Sequence, residues 1–178
     1  MTRADIGAAT RTVIVAGLAA GYLLVMNAQA PALPADLPSA LYPAGMVPYL
    51  QVSATGAQIY TCGISKGSGT WIFKAPEADL FDAQMKLIGK HYAGPTWEAL
   101  TGGKIVGAVK ANAAGGAGNI PWLLLDVKAR EGSGVFTDAK AILRVDTKGG
   151  VAPAQGCDEA HAGHEARVPY EANYIFLK

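Results

Sequence analysis

Catalytic signatures are missing from this sequence. It has no H-E-x-x-H and no paired-carboxylate pattern, so the residues that usually announce a zinc peptidase helix or a two-carboxylate site are not there. An excess of charge of one sign is missing too. Fifteen basic residues face fourteen acidic ones, and without residues 1–30 the balance is thirteen to thirteen. Such a chain has no electrostatic footprint for nucleic acid or an anionic membrane. No convincing amphipathic helix and no internal repeat are visible. The glycine-rich ANAAGGAGNIP (111–121) is a loop without the Lys-Ser/Thr ending of a phosphate-binding loop, and no cofactor is implied.

Long apolar runs are scarce as well. VIVAGLAAGYLLV, from Val13 to Val25, falls short of the roughly 18 residues a membrane span needs. Arg3 and Arg11 precede it and Ala28-Gln29-Ala30 follow, which is the layout of a secretory signal peptide over residues 1–30. Because cleavage after Ala30 would leave Pro31 first, a cut after Ala32 is the fallback. The reading is export to the periplasm or beyond, with no stable membrane anchor. The 148 residues that remain are enough for one domain with its own core.

There are two cysteines, Cys62 and Cys157. In an oxidising compartment an even pair reads first as a disulfide, with a reactive or metal-bound thiol as the alternative. Five prolines in PALPADLPSALYPAGMVP make residues 31–47 an extended lead-in that skirts the domain, which begins near Pro48 and runs to 178.

From Pro48 onward, short alternating runs separated by Gly, Asn, Asp and Thr predict an all-β domain: a single-domain antiparallel sandwich or barrel of about nine strands. YLQVSA and AQIYTCGI flank Thr55-Gly56, which predicts a hairpin with Val52 facing Ile59. PEADLFDAQMK (76–86) has room for one helical turn, and Gly102-Gly103 is a hairpin turn. In IPWLLLDVKA, Leu123, Leu125 and Val127 share one face, and Ile120, Trp122 and Leu124 the other, as in a central strand covered on both sides. In VPYEANYIFLK, Val168, Tyr170, Ala172, Tyr174 and Phe176 share the buried face.

The segments GAQIYTC (56–62), HYAGPTWE (91–98), IPWLLL (120–125), RVDTKGG (144–150) and VPYEANYIF (168–176), in this order, resemble a family of small exported bacterial and fungal proteins known as a domain of unknown function. The resemblance spans nearly the whole chain after residue 30. It implies secretion, one domain and the pairing of Cys62 with Cys157, and it carries over no catalytic residue. The family tends to have Asp-Gly-Ser at the turn after Trp97-Glu98, where this chain has Thr101-Gly102-Gly103.

Candidate chemistry gathers in GKHYAGPTWEA (89–99). With Gly94 and Pro95 central in a tight turn, Tyr92 lies opposite Trp97 and His91 opposite Glu98. The expected ligand site is therefore His91, Tyr92, Trp97 and Glu98, with Trp122 nearby. Its aromatic rings provide contact area for a small molecule, sugar or peptide, and Tyr60, Trp71 and Tyr170 are further candidates. As catalytic candidates, Glu98 orients His91 as a general base in a hydrolase- or isomerase-type enzyme; a structural cross-strand pair is the plainer reading. His161 and His164, beside Asp158, Glu159 and Glu165, are weak metal candidates. Arg144, Lys148 and Arg167 serve the scaffold, pairing with residues such as Asp126 or Glu98, or catch an anion if exposed. A purely structural envelope role is the remaining alternative.

Overall fold

The computed structural model describes residues 30–178; the expected signal peptide thus lies outside the described residues but for Ala30. Eight antiparallel strands form one closed barrel, each paired with the next: β1 Pro48–Ser65, β2 Ser68–Phe81, β3 Leu87–Tyr92, β4 Thr96–Ala99, β5 Lys104–Ala113, β6 Trp122–Glu131, β7 Ala141–Gly149 and β8 Glu165–Leu177. β8 pairs with β1 from Pro48↔Leu177 to Thr61↔Glu165, so neither the first nor the last strand leaves an unpaired edge.

Eight strands replace the expected nine because residues 48–65 are one continuous strand. The hairpin expected at Thr55-Gly56 does not form, and Val52 does not face Ile59. Val52, Ala54, Gly56, Gln58, Tyr60 and Cys62 keep their alternation through the Thr-Gly pair, which is what a single strand requires. Gly56 has another purpose: a Cβ there would lie 2.1 Å from Glu77 O. The first turn comes ten residues later, at Lys66 and Gly67, both with positive φ (50° and 78°) between the paired Ser65 and Ser68. That is the two-residue hairpin geometry favoured by strand twist. The helical turn expected within 76–86 is also replaced: 76–81 belong to β2, and Asp82 Oδ1 accepts the backbone N–H of Gln84 and Lys86 to close a turn. The turn at Gly102-Gly103 is present, with φ of 107° and 80°.

The barrel interior mixes small and large inward residues, as a narrow barrel must to be filled. Ala54, Ala78, Ala99 and Ala172 share the inner core with Trp97, Phe136, Tyr174 and Phe176. Leu123, Leu125 and Val127 also face inward, as their alternation predicts, while Trp122 and Leu124 face outward. Ile120 departs from the pattern because it lies before β6 and turns into the inner core. β6 has no privileged position, since a closed barrel has no central strand.

The lead-in does more than skirt the domain. Leu33, Leu37, Leu41 and Met46 cover the outward side chains Leu124, Leu143, Ile175 and Leu177, and Leu41 is fully buried. This second core explains why β6, β7 and β8 are apolar on both faces.

The two ends of the barrel differ. At one end, the β6–β7 connection tucks Phe136 inside, stacked on Phe176 with ring centroids 4.7 Å apart. Gly89 makes room for it, because a Cβ there would lie 2.8 Å from the Phe136 ring. The other end carries the β3–β4 turn, the 114–121 loop and the 150–164 segment, and it is hollow.

Candidate functional site

The β3–β4 connection determines which side chains reach the hollow end. Ala93, Gly94 and Pro95 form a three-residue loop closed by Tyr92↔Thr96, with Gly94 at φ 115°. The extra residue shifts the register by one from the expected pairing: His91 faces Trp97, and Lys90 faces Glu98. Because successive side chains point to opposite faces, His91 and Trp97 enter the barrel while Glu98 stays outside. The expected His91–Glu98 pair is therefore not formed, and neither is the Tyr92–Trp97 aromatic pair.

Inside, His91 lies against the Trp97 ring (centroids 4.4 Å, interplanar angle 22°) and beside Tyr174 (5.0 Å). Trp97 and Tyr174 meet edge to face at 5.4 Å. Gly107 on β5 permits this stack, since a Cβ there would lie 3.0 Å from Trp97 Cζ3. His91 Nδ1 is 2.8 Å from Thr96 O. Burial lowers the His91 pKa to about 3, against the smaller upward effect of the Thr96 carbonyl, and the Arg144 charge lowers it further. At neutral pH the ring is uncharged, so Nδ1–H donates to Thr96 and Nε2 keeps its lone pair.

Outside, Tyr92 Oη donates to Glu98 Oε2 at 2.7 Å, a bond that raises the tyrosine pKa. Trp122 is on the outer face under the lead-in, across the wall from the stack. The five expected site residues thus divide: His91 and Trp97 remain together, and Tyr92, Glu98 and Trp122 do not join them.

A cavity of about 180 Å³ adjoins the stack. His91, Trp97 and Tyr174 form its floor, Leu123, Leu125 and Pro76 its sides, and Phe73, Val109, Pro95 and Arg144 its rim. Phe73 and Val109 remain 52% and 55% exposed, so the rim is apolar as well as open. Polar groups ring the interior. Tyr170 and Tyr174 place their hydroxyls 3.4 Å apart, and burial raises both pKa values. Two buried donors, Trp97 Nε1 and Gln58 Nε2, have no hydrogen-bond partner among the described residues. Each such donor costs roughly 1–3 kcal/mol.

The sequence reading did not assign Tyr174, Phe73, Pro76 or Leu123 to the site. Tyr174 was legible as an inward residue of β8, but strand alternation does not reveal that β8 closes onto β7 opposite His91. Of the other aromatics, Tyr60 donates to Gly150 O at 2.6 Å and Trp71 Nε1 to Gln155 O at 2.9 Å. Both hold the 150–164 segment. Cys62 and Cys157 form a disulfide with Cα atoms 5.2 Å apart, which pins the same segment to β1. His161 Nδ1 is 2.6 Å from Asp158 Oδ1, and its ring meets His164 edge-on at 5.4 Å. Among the described residues no three His, Cys, Asp or Glu side chains gather around a common point for a metal. Lys148 pairs with Glu171 and Arg167 with Glu77, both on the surface, whereas Arg144 takes neither of its expected partners, Asp126 or Glu98.

Fold and site together define a disulfide-linked, eight-stranded antiparallel barrel, plugged at one end and hollow at the other. The chain belongs to the family described as "Protein of unknown function (DUF3455)", whose model matches residues 43–178. No curated protein and no solved structure matches it.

Proposed function

We propose that this is an exported binding domain that takes a small, largely apolar molecule into the hollow end of its barrel. The observation that carries the reading is the rim-open cavity floored by His91, Trp97 and Tyr174. The cavity keeps an apolar rim exposed and one unsatisfied donor, Trp97 Nε1, at its floor. Its size sets the scale of the guest. An apolar cavity of about 150 Å³ takes up benzene, and drug-sized ligands need roughly 300 Å³ or more. A single ring or a short alkyl group fits, with any larger substituent projecting past Phe73 and Val109.

Export is supported by the signal-peptide layout of residues 1–30 and by the disulfide. Intact-mass measurement of the chain recovered outside the cytoplasm should give a mature start at Pro31 or Leu33; an uncleaved chain would count against it. The enzyme alternative required Glu98 to orient His91, and with the two on opposite faces of the wall it lacks its second group.

The binding test is a thermal-shift and tryptophan-fluorescence titration of the oxidised protein with one-ring compounds. Any ligand of the native state raises its stability. Val109→Trp, at an exposed rim position, should leave the fold intact and weaken binding at least tenfold. Equal binding by the variant would remove the cavity as the site.

A further inference from the structure

One rim side chain narrows the chemistry of the guest. Arg144 follows Ile142 on the inward row of β7 and lines the cavity. Among the described residues it has no carboxylate within salt-bridge distance, whereas six lysines and Arg167 each have one. Lys74, the other cation at the rim, is held by Glu165. Arg130, at the plugged end, divides its guanidinium between two carbonyls, Thr137 O at 3.0 Å and Ala139 O at 3.1 Å. Arg144 instead directs both Nε and Nη2 to one acceptor, Pro121 O, at 3.1 and 2.8 Å. A guanidinium has five N–H donors and keeps its charge at any ordinary pH; two are spent on Pro121 O and a further contact goes to the Tyr174 hydroxyl, so two donors and the full positive charge remain. Among the described residues no Asp or Glu lines the cavity.

We infer that the guest is a monocarboxylate, its anion paired with the Arg144 fork at the mouth and its ring or short alkyl body seated between Trp97, Leu123, Leu125 and Pro76. The inference rests on the cavity-binding reading. The fork suits planar carboxylates and phosphates alike, and charge decides between them. One uncompensated cation balances a monoanion, while a phosphate monoester would bring a second negative charge into an apolar cavity with nothing to meet it.

The experiment compares benzoate with its neutral isostere benzamide, hexanoate with hexanamide, and adds phenyl phosphate. Calorimetry at pH 7 would use the wild-type protein, Arg144→Gln, Arg144→Lys and Val109→Trp. The expected result is acid bound at least tenfold more tightly than amide by the wild type. That preference should vanish in Arg144→Gln and survive in part in Arg144→Lys, and Val109→Trp should weaken acid and amide together. Because the amide reports on the cavity itself, the acid-to-amide ratio distinguishes a lost charge from a damaged fold, and the wild-type ratio decides alone if a variant fails to fold. Equal affinity for acid and amide, or tighter binding of phenyl phosphate than of benzoate, would overturn the monocarboxylate and leave the binding reading standing. No binding of any probe by the wild type would take down both.

Discussion

His91 shows what the barrel does to a single titratable side chain. Its folded pKa, about 3, lies below the ordinary histidine value of 6.5 because the interior cannot solvate an imidazolium. Above pH 6.5 the ring is neutral whether or not the chain is folded, and it contributes nothing to pH dependence. Below that the unfolded chain takes up a proton that the folded chain refuses, so stability falls as pH drops from 6.5 toward 3. By pH 4 the loss from this group is on the order of 3 kcal/mol. His91→Phe, which keeps a ring against Trp97, should therefore lose less stability than the wild type between pH 7 and pH 4. Urea denaturation at the two pH values measures the difference, and identical losses would show that His91 is not the group responsible. None of this was legible from HYAGPTWE alone. The motif marked His91 and Trp97 as chemically dense, but one additional loop residue, Ala93, decides which of Trp97 and Glu98 shares a face with the histidine.

At the scale of elements, the lead-in is the least expected participant. Its prolines disclose an extended backbone but not what its leucines cover. Leu41 is fully buried against the outward side chains of β6, β7 and β8. Leu41→Ala should cost about 2–5 kcal/mol in unfolding free energy. Its neighbour Tyr42→Ala, at a 63% exposed position, should stay within about 0.5 kcal/mol. Chemical denaturation of the two variants side by side checks the contrast; equal effects would mean that the lead-in is not part of the core. The strands themselves were more readable. β8 was evident from its alternation, and β6 from apolar residues on both faces. At Thr55-Gly56 local turn chemistry pointed to a hairpin, yet inward positions from Val52 to Cys62 stay in phase across it. A turn would break that phase, so the phase was the better guide.

For the molecule as a whole, sandwich and barrel read alike in sequence, because both alternate inward and outward residues. The choice lies in whether the first strand meets the last, a pairing across more than a hundred residues that no local pattern records. Here β1 pairs with β8, and the Cys62–Cys157 bond spans 95 residues beside that seam. Cross-linking so long a loop restricts the unfolded chain by about 4–5 kcal/mol in the chain-entropy model. Reduction, or a Cys62→Ser/Cys157→Ser double variant, should lower the urea midpoint by a corresponding amount while the barrel still forms. An unchanged midpoint would mean that the seam is held without help from the bond.

The seam also has a consequence in time. Val47 and Lys178 exchange backbone hydrogen bonds at 3.0 and 3.1 Å where β1 begins and β8 ends. A ribosome builds β1 with six strands still to come before its partner β8, so while β2 to β7 are made the outer edge of β1 has no strand to meet. Until β8 emerges, that edge is open to any extended peptide nearby.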